Sequence, residues 1–259
     1  MCRLAAFAGP PASLSSVLFD PPRSLQVQAY DPHEMQRGHV NVDGTGIVWF
    51  DEGSANAEPD HRPLRYRTQL PPWGDQTLVE LAPRMTSRII LAAVRSSTAG
   101  IPQGQAFVHP FVAGNLAGTH NGWISDFRPR VARPLMARLS DDSFGMLDGM
   151  SDANVLFLLA ADAYRDGATL IDAARHATDV AAKVCAELGA TATLTLALAD
   201  HTGVAVMNAA CGRPANSLYV HDGGDHRLVA SEPLDPRLDW DPVGDGAGVA
   251  ITPTSMELC

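Results

Sequence analysis

The residue best suited to covalent chemistry is Cys2, at the second position of the chain. A side chain as small as that of cysteine lets the initiator methionine be removed, and the thiol would then share its residue with the free α-amine. A thiol with a pKa of about 8.5 and an α-amine with a pKa of about 7.7–8.0 both titrate close to neutrality, so the amine could take the thiol proton. The alternative is a small buried apolar residue on a first strand. Other residues must decide between the two.

Arg95 and Asp152 carry opposite charges at the ends of predicted elements. Arg95 follows an apolar run, within Val94-Arg95-Ser96-Ser97-Thr98, and its planar guanidinium suits a carboxylate. Asp152 follows Ser151 at the predicted start of a helix, where it could bind an ammonium group. Taken alone, each residue is more often structural: a surface arginine in the first case and a helix N-cap in the second.

The string Gly118-Thr119-His120-Asn121-Gly122 follows another apolar stretch. The Asn121 amide and the Gly122 N–H could point at one spot and hold an oxyanion. An Asn-Gly pair is also a common hairpin turn, which is the better interpretation of this string by itself. His120 is expected to be a structural hydrogen-bonding residue. The segment 41–46 (NVDGTG) either lines a site or is a turn before a strand.

The elements that would position these residues form an α+β pattern. Apolar residues at 3–4 spacing predict amphipathic helices at 152–164 and 169–188, the second with Thr169 and Asp172 in capping-box positions and Gly189 after its end. Weaker helix predictions fall at 76–85 and 128–138. Apolar or alternating runs predict strands at 3–8, 46–50, 88–94, 191–198, 204–208, 217–220, 228–231 and 248–252. The order of these elements suggests helices layered on antiparallel sheets.

Composition restricts the functional classes. The chain has 259 residues, of which 46% are hydrophobic, enough for a large core in a single domain spanning 1–259. No apolar run approaches the ~18–20 residues that cross a bilayer, and no secretory signal is evident, so we expect a cytoplasmic protein. The net charge of −10 argues against nucleic acid as a partner. The four scattered cysteines indicate neither a disulfide framework nor a metal site.

The combination and order of the candidate residues resemble the active site of the class II glutamine amidotransferases, which are N-terminal nucleophile hydrolases. These residues are Cys2, Arg95, Asn121-Gly122 and Asp152. The resemblance implies a four-layer αββα sandwich. It also implies that Cys2 is the nucleophile and its α-amine the base, and that Asn121 and Gly122 form the oxyanion hole. Arg95 would bind a substrate α-carboxylate and Asp152 an α-amino group. We expect no metal and no cofactor.

Further motifs narrow the resemblance to the γ-glutamyl hercynylcysteine sulfoxide hydrolases of ergothioneine biosynthesis; they are Asp20-Pro21-Pro22, the segment 41–46, Tyr66-Arg67, Ala92-Ala93-Val94-Arg95 and Ala230-Ser231-Glu232-Pro233. The similarity covers nearly the whole chain, so we expect no synthase domain on it. It implies hydrolysis of a small-molecule γ-glutamyl amide through a thioester on Cys2, without a membrane or nucleic acid. Thr45 stands where family loops often have Trp or Phe, so the leaving-group preference could differ.

Two other functions remain open from the sequence. A glutaminase that supplies ammonia to a separate synthase subunit would keep the same residues. A non-catalytic binding protein on the same fold would follow if Met1 were retained, because the amine would then belong to the wrong residue. Trp49, Trp73 and Trp123 are candidates for contacting a cationic leaving group, although tryptophan is more often a core residue.

Overall fold

The computed structural model describes residues 2–36, 38–51, 60–97 and 104–259, and these form two antiparallel sheets with helices on their outer faces. The strands are β1 (Arg3–Ser13), β2 (Thr45–Trp49), β3 (Leu64–Thr68), β4 (Thr86–Val94), β5 (Phe111–Ala113), β6 (Leu116–Ile124), β7 (Ala192–Asp200), β8 (Gly203–Asn208), β9 (Ala210–Cys211), β10 (Tyr219–Asp222), β11 (Arg227–Ala230), β12 (Asp241–Pro242), β13 (Ala247–Ile251) and β14 (Met256–Leu258). The helices are α1 (Ser15–Leu18), α2 (Leu25–Tyr30), α3 (Gln76–Leu81), α4 (Ala132–Met136), α5 (Asp141–Gly145), α6 (Asp152–Arg165) and α7 (Leu170–Glu187).

The strands and helices stack in four layers. One sheet has the order β12-β10-β11-β1-β4-β2-β3, and the other has the order β14-β13-β8-β7-β6-β5 with β9 paired to β7. Because strand side chains alternate, Leu4 and Ala6 of β1 pack between the sheets, whereas Ala5 and Phe7 pack beneath α1, α2 and α3. A third core lies between the second sheet and α4, α6 and α7. The predicted αββα sandwich is confirmed.

Strand register brings the start of β1 beside the ends of two other strands. In the β1–β4 pair Arg3 lies opposite Val94, so Cys2 comes next to Arg95. In the β1–β11 pair Ala5 lies opposite Ala230, and Ser231 follows directly. The two sheets face each other, so the same region meets β6. The fold therefore collects residues from distant parts of the chain at one end of the space between the sheets.

The two long helices match their predictions closely. Ser151 caps α6 by accepting a hydrogen bond from the Asn154 N–H at 3.2 Å. Thr169 caps α7 by accepting from the Asp172 N–H at 3.2 Å, and its hydroxyl donates to the Asp172 carboxylate at 2.7 Å. Gly189, just after α7, has a φ of 63°, which favours glycine. None of the helices in the described ranges is both long and apolar enough to cross a membrane.

Several sequence predictions are wrong at their edges. The strand predicted at 3–8 continues to Ser13 through Gly9-Pro10-Pro11, and a register shift between Ala8 and Ala12 accommodates the two prolines. The predicted helix at 76–85 ends at Leu81, and the one at 128–138 is a π-helical turn (Phe127–Val131) followed by the short helix α4. The predicted strand at 217–220 begins instead at Tyr219.

The string from Gly118 to Gly122 does not form a turn. It lies within β6, where Asn121 pairs with Thr195 and Gly122 with Leu194 of β7. The alternative interpretation of Asn121-Gly122 as a hairpin turn is therefore wrong. Pairing on the neighbouring strand holds these residues in extended backbone, which a local Asn-Gly signal does not reveal.

Candidate active site

Cys2 lies just before β1 and is 7% exposed, at the wall of a small cavity between the sheets. Its Sγ is 3.5 Å from Nε2 of His109 and 4.0 Å from the carbonyl oxygen of Ser96. Arg95 and Asp152 line the same cavity. Its volume is about 30 Å³, room for only a water molecule or two, so a larger ligand requires the lining side chains to shift.

Arg95 is held by the segment 41–46. The Arg95 N–H donates to the Gly44 carbonyl at 2.8 Å, and the Asp43 N–H donates to the Arg95 carbonyl at 3.0 Å. The Asp43 carboxylate also accepts from the Ser97 N–H at 2.7 Å. Arg95 is 5% exposed, so the alternative of a surface arginine is wrong. The segment 41–46 thus positions the arginine that ends β4.

Asp152 is the first residue of α6 but not its cap, because Ser151 fills that role. One Asp152 carboxylate oxygen accepts from the Ala153 N–H at 2.9 Å, and the other accepts from the Ile124 N–H at 3.2 Å. The second bond joins the start of α6 to the end of β6. The positive end of the helix dipole also favours a carboxylate here. The N-cap alternative for Asp152 is therefore wrong, and the side chain borders the cavity.

Asn121 and Gly122 occupy successive positions of β6 with different surroundings. Asn121 is fully buried, and its Nδ2 donates to the hydroxyl of Ser231 at 3.3 Å. That hydroxyl also accepts from the Leu4 N–H at 3.0 Å, which links the amide to β1. Gly122 lines the cavity, and a Cβ there would collide with the Thr193 carbonyl. The structure therefore brings Cys2, Arg95, Gly122 and Asp152 to one cavity, with Asn121 beside it.

Burial dominates the electrostatics of the site. It raises the pKa of the Cys2 thiol, while the positive charges of the chain's amino terminus and of Arg95 oppose that rise. Burial, with Arg95 adding to it, lowers the pKa of His109 to about 3. Burial also lowers the pKa of His120, whose Nε2 lies 3.2 Å from the Thr193 carbonyl, in keeping with its predicted structural role. Both imidazoles are therefore neutral at physiological pH.

The residues considered for the leaving group do not converge on the cavity. Thr45 is fully buried and its hydroxyl donates to the Leu70 carbonyl at 2.9 Å. Trp49 belongs to the core under α1–α3, and Trp73 is exposed against Tyr30. Trp123 is half-buried, with the guanidinium of Arg213 5.5 Å from its ring.

Met1 and Thr98 lie outside the described residues. In the ranges that are described, no group of three or more His, Cys, Asp or Glu side chains is arranged to hold a metal ion.

Sequence reasoning missed His109, whose Nε2 lies 3.5 Å from the Cys2 sulfur. It lies two residues before β5 and 107 residues from Cys2 in the sequence. The only local signal is the string His109-Pro110-Phe111 at the start of an apolar strand. Ser231 was noted only as part of a motif, and its contact with Asn121 depends on the pairing of β1 with β11.

The chain is similar over its full length to curated mycobacterial enzymes. It is 32% identical over 261 residues to the gamma-glutamyl-hercynylcysteine sulfoxide hydrolase of Mycolicibacterium smegmatis, covering 98% of this chain and all of that protein. It is 30% identical to the enzyme of the same name from Mycobacterium tuberculosis, covering all of this chain and 96% of that one. A probable glutamine amidotransferase of Saccharomyces cerevisiae, DUG3, is 31% identical over 165 residues, which are 62% of this chain and 45% of that protein.

Solved structures support the fold independently. A glutamine aminotransferase class-II domain protein from Silicibacter pomeroyi superposes with a TM-score of 0.69 at 22% identity, covering all of this chain and 97% of that one. Glutamine phosphoribosylpyrophosphate amidotransferase from Bacillus subtilis gives a TM-score of 0.62 at 20% identity, over all of this chain and 49% of that one. No family model matches the sequence.

Proposed function

The chain belongs to the γ-glutamyl-hercynylcysteine sulfoxide hydrolase family, and we propose that it hydrolyses γ-glutamyl-hercynylcysteine sulfoxide to glutamate and hercynylcysteine sulfoxide in ergothioneine biosynthesis. The observation that carries this proposal is the shared cavity, where a buried thiol lies with a guanidinium and a carboxylate. We also propose that the enzyme works in the cytoplasm, where its four free cysteines stay reduced.

Arg95 and Asp152 match the two charges of a γ-glutamyl head. The Arg95 guanidinium offers a planar fork of N–H donors to the α-carboxylate. Each Asp152 oxygen accepts one backbone N–H and keeps a further lone pair, so the carboxylate can also accept from the α-ammonium. Both side chains are nearly excluded from water, which strengthens their attraction for a desolvated ligand.

The proposed reaction uses the α-amine of Cys2 after Met1 is removed. The amine takes the thiol proton, and the sulfur attacks the γ-carbonyl carbon. The oxyanion accepts hydrogen bonds from the Gly122 N–H and from Asn121 Nδ2, whose two N–H groups allow one bond to Ser231 and one to the oxyanion. The ammonium then protonates the leaving nitrogen as the C–N bond breaks, leaving a thioester.

Water completes the cycle. The free amine takes a proton from the water, whose oxygen attacks the thioester carbonyl, and the same donors stabilise the second oxyanion. The C–S bond breaks, the thiolate regains its proton from the ammonium, and glutamate leaves. The sequence of steps consumes one water and needs no oxidant, reductant or metal.

Turnover on two substrates tests the proposal. Intact mass first establishes that Met1 is absent, and glutamate release is then measured with γ-glutamyl-hercynylcysteine sulfoxide and with glutamine, using Cys2→Ala as the blank. We expect the sulfoxide substrate to have the higher kcat/KM by at least about tenfold, because only it can use contacts beyond the glutamyl head. Equal or better turnover of glutamine would contradict the proposed substrate.

A glutaminase that delivers ammonia to a separate synthase is the second candidate. Its support is the similarity to a probable glutamine amidotransferase, together with a cavity that contacts the head common to both substrates. This function predicts glutamine turnover that rises when a partner subunit is added. Retention of Met1 in cell-derived protein that releases no glutamate from either substrate would favour a non-catalytic binding protein on the same fold.

A further inference from the structure

His109 contacts the sulfur of Cys2, yet the reaction above gives it no task. Its Nε2 is 3.5 Å from Sγ, and the residue is 3% exposed. Buried imidazoles carry a polar ring that costs free energy unless both nitrogens find partners. The second nitrogen, Nδ1, lies 2.5 Å from the hydroxyl oxygen of Thr119 on β6. The three side chains form a continuous line from Thr119 through the imidazole to the sulfur.

The backbone around His109 is held from three strands. The Arg67 guanidinium, on β3, donates to the Val108 carbonyl at 3.2 Å. On β2, Gly46 packs so closely that a Cβ would collide with the His109 carbonyl oxygen. On β6, Thr119 holds the ring itself. The ring is thus fixed by its supports, which is what a group aimed at a reacting atom requires.

The hydroxyl of Thr119 determines which nitrogen of His109 carries the proton. In the described part of the chain, the bond to Nδ1 is the only hydrogen bond that this buried hydroxyl makes. Its proton is therefore satisfied only if Nδ1 accepts it, and a neutral ring then carries its own proton on Nε2. An S–H directed at the Ser96 carbonyl, 4.0 Å from Sγ, leaves sulfur lone pairs for Nε2–H.

We propose that His109, held by Thr119 as the Nε2–H tautomer, is a catalytic hydrogen-bond donor that stabilises the Cys2 thiolate. The inference rests on the proposed role of Cys2 as the nucleophile. No proton leaves the imidazole: the α-amine takes the thiol proton, and the resulting sulfur anion accepts the N–H of His109. A hydrogen bond to an anion is stronger than one to a neutral group, so the donor favours the thiolate.

His109 is unsuited to act as the base itself. Burial, with the charge of Arg95, holds its pKa near 3, so the ring binds a proton weakly. The titratable or charged groups that line the cavity with Cys2 are Arg95 from the end of β4, His120 from β6, Asp152 from α6 and His109. Of these, Arg95 lowers the thiol pKa and Asp152 raises it. The donor adds to Arg95 in favouring the thiolate form.

The rate of Cys2 alkylation by iodoacetamide as a function of pH tests this role. Peptide mass spectrometry separates the modification of Cys2 from that of Cys185, Cys211 and Cys259, and intact mass confirms that Met1 is absent. Five proteins are compared: wild type, His109→Leu, His109→Gln, Thr119→Val and Thr119→Ser. Circular dichroism and thermal unfolding identify which of the five proteins are folded, and alkylation rates are compared among those.

The alkylation rates should depend on whether the variant keeps an N–H donor toward the Cys2 sulfur. His109→Leu should slow alkylation at neutral pH by about tenfold or more and move the apparent thiol pKa upward, because a bond to a charged group is lost. His109→Gln keeps an N–H donor and should stay within a few-fold of wild type. Thr119→Val removes the hydroxyl that keeps the proton of His109 on Nε2, so it should slow alkylation. Thr119→Ser keeps that hydroxyl and should not slow it.

Overlapping pH profiles for wild type, His109→Leu and Thr119→Val would overturn the proposal. Equal slowing in His109→Leu and His109→Gln would also overturn it, since ring packing rather than the donor would then matter. The assay contains no substrate, so its result stands even if the proposed sulfoxide substrate is wrong. A wild-type Cys2 that does not react at all would overturn both this inference and the proposed nucleophile.

Discussion

Cys2 and Cys185 are both buried thiols, but they lie in different layers with different neighbours. Cys185, on α7, is enclosed by the apolar core under the second sheet, and burial raises its pKa to about 12. Burial raises the pKa of Cys2 as well, yet its cavity also contains Arg95, Asp152 and His109. The contrast teaches that burial by itself makes a cysteine inert, and that nearby positive charges and donors make it a candidate nucleophile.

Exchanging either cysteine for alanine should give the largest difference between the two layers. Cys2→Ala should lower turnover to the level of a reaction without enzyme, a loss of several orders of magnitude like that of other removed nucleophiles. Cys185→Ala should leave kcat nearly unchanged and lower the free energy of unfolding by about 1–2 kcal/mol, because it opens a small cavity in a packed core. Steady-state kinetics and urea unfolding measure both. Clear turnover by pure Cys2→Ala would contradict the assignment of Cys2 as the nucleophile.

Removing the side-chain oxyanion donor should have the next largest effect. Asn121→Ala should lower kcat by ~10²–10³, roughly 2.7–4 kcal/mol, with little change in KM, because the bond strengthens only as the carbonyl becomes tetrahedral. Ser231→Ala, which removes only the partner of Asn121, should cost several-fold less. Circular dichroism must first show that each variant is folded. A kcat for Asn121→Ala within a few-fold of wild type would make Asn121 a structural residue of β6.

Replacing Arg95 by lysine should specifically weaken recognition of the glutamyl head. Arg95→Lys should lower kcat/KM by at least ~2 kcal/mol, about 30-fold, because an ammonium cannot reproduce the guanidinium fork. The loss should be similar for glutamine and the sulfoxide substrate and should largely vanish on a substrate without its α-carboxylate. The matched control is Arg237→Lys, because Arg237 is an exposed arginine that pairs with Asp235. This substitution should change kcat/KM little. The same fold-loss with and without the α-carboxylate would contradict the assigned role.

Acid should lower the free energy of unfolding through His109, beside Cys2, and not through the core that contains Cys185. The pKa of His109 is near 3 in the folded chain but about 6.5 when unfolded, so between these values only the unfolded chain binds this proton. The contribution of neutral His109 to the free energy of unfolding is therefore complete above pH 6.5. It is lost as the pH falls, by about 1.4 kcal/mol per pH unit and about 2 kcal/mol by pH 5.

The variant His109→Gln should flatten that acid dependence by about one proton, whereas Cys185→Ala should keep the wild-type slope. Urea unfolding between pH 4.5 and 7 measures the free energies. Parallel curves for wild type and His109→Gln would mean that His109 does not resist protonation in the folded state.

Local patterns were enough to identify much of the molecule. The apolar spacing of α6 and α7 and the caps Ser151 and Thr169 lie within a few residues of what they control, so periodicity and capping predicted both helices. Asn121-Gly122 shows the opposite case. Its local turn signal was overridden because β7 supplies hydrogen bonds along the whole of β6. The prolines in β1 were likewise accommodated by a register shift that no local signal announced.

The sequence by itself determined the residue types of the site, since Cys2, Arg95, Asn121-Gly122 and Asp152 and their order are properties of the chain. Only the tertiary structure decided which of them share a cavity, and that His109, 107 residues from Cys2, touches its sulfur. The physical reason is that antiparallel register and the stacking of two sheets set those distances. Both arise from hydrogen bonds and packing between segments far apart in the sequence.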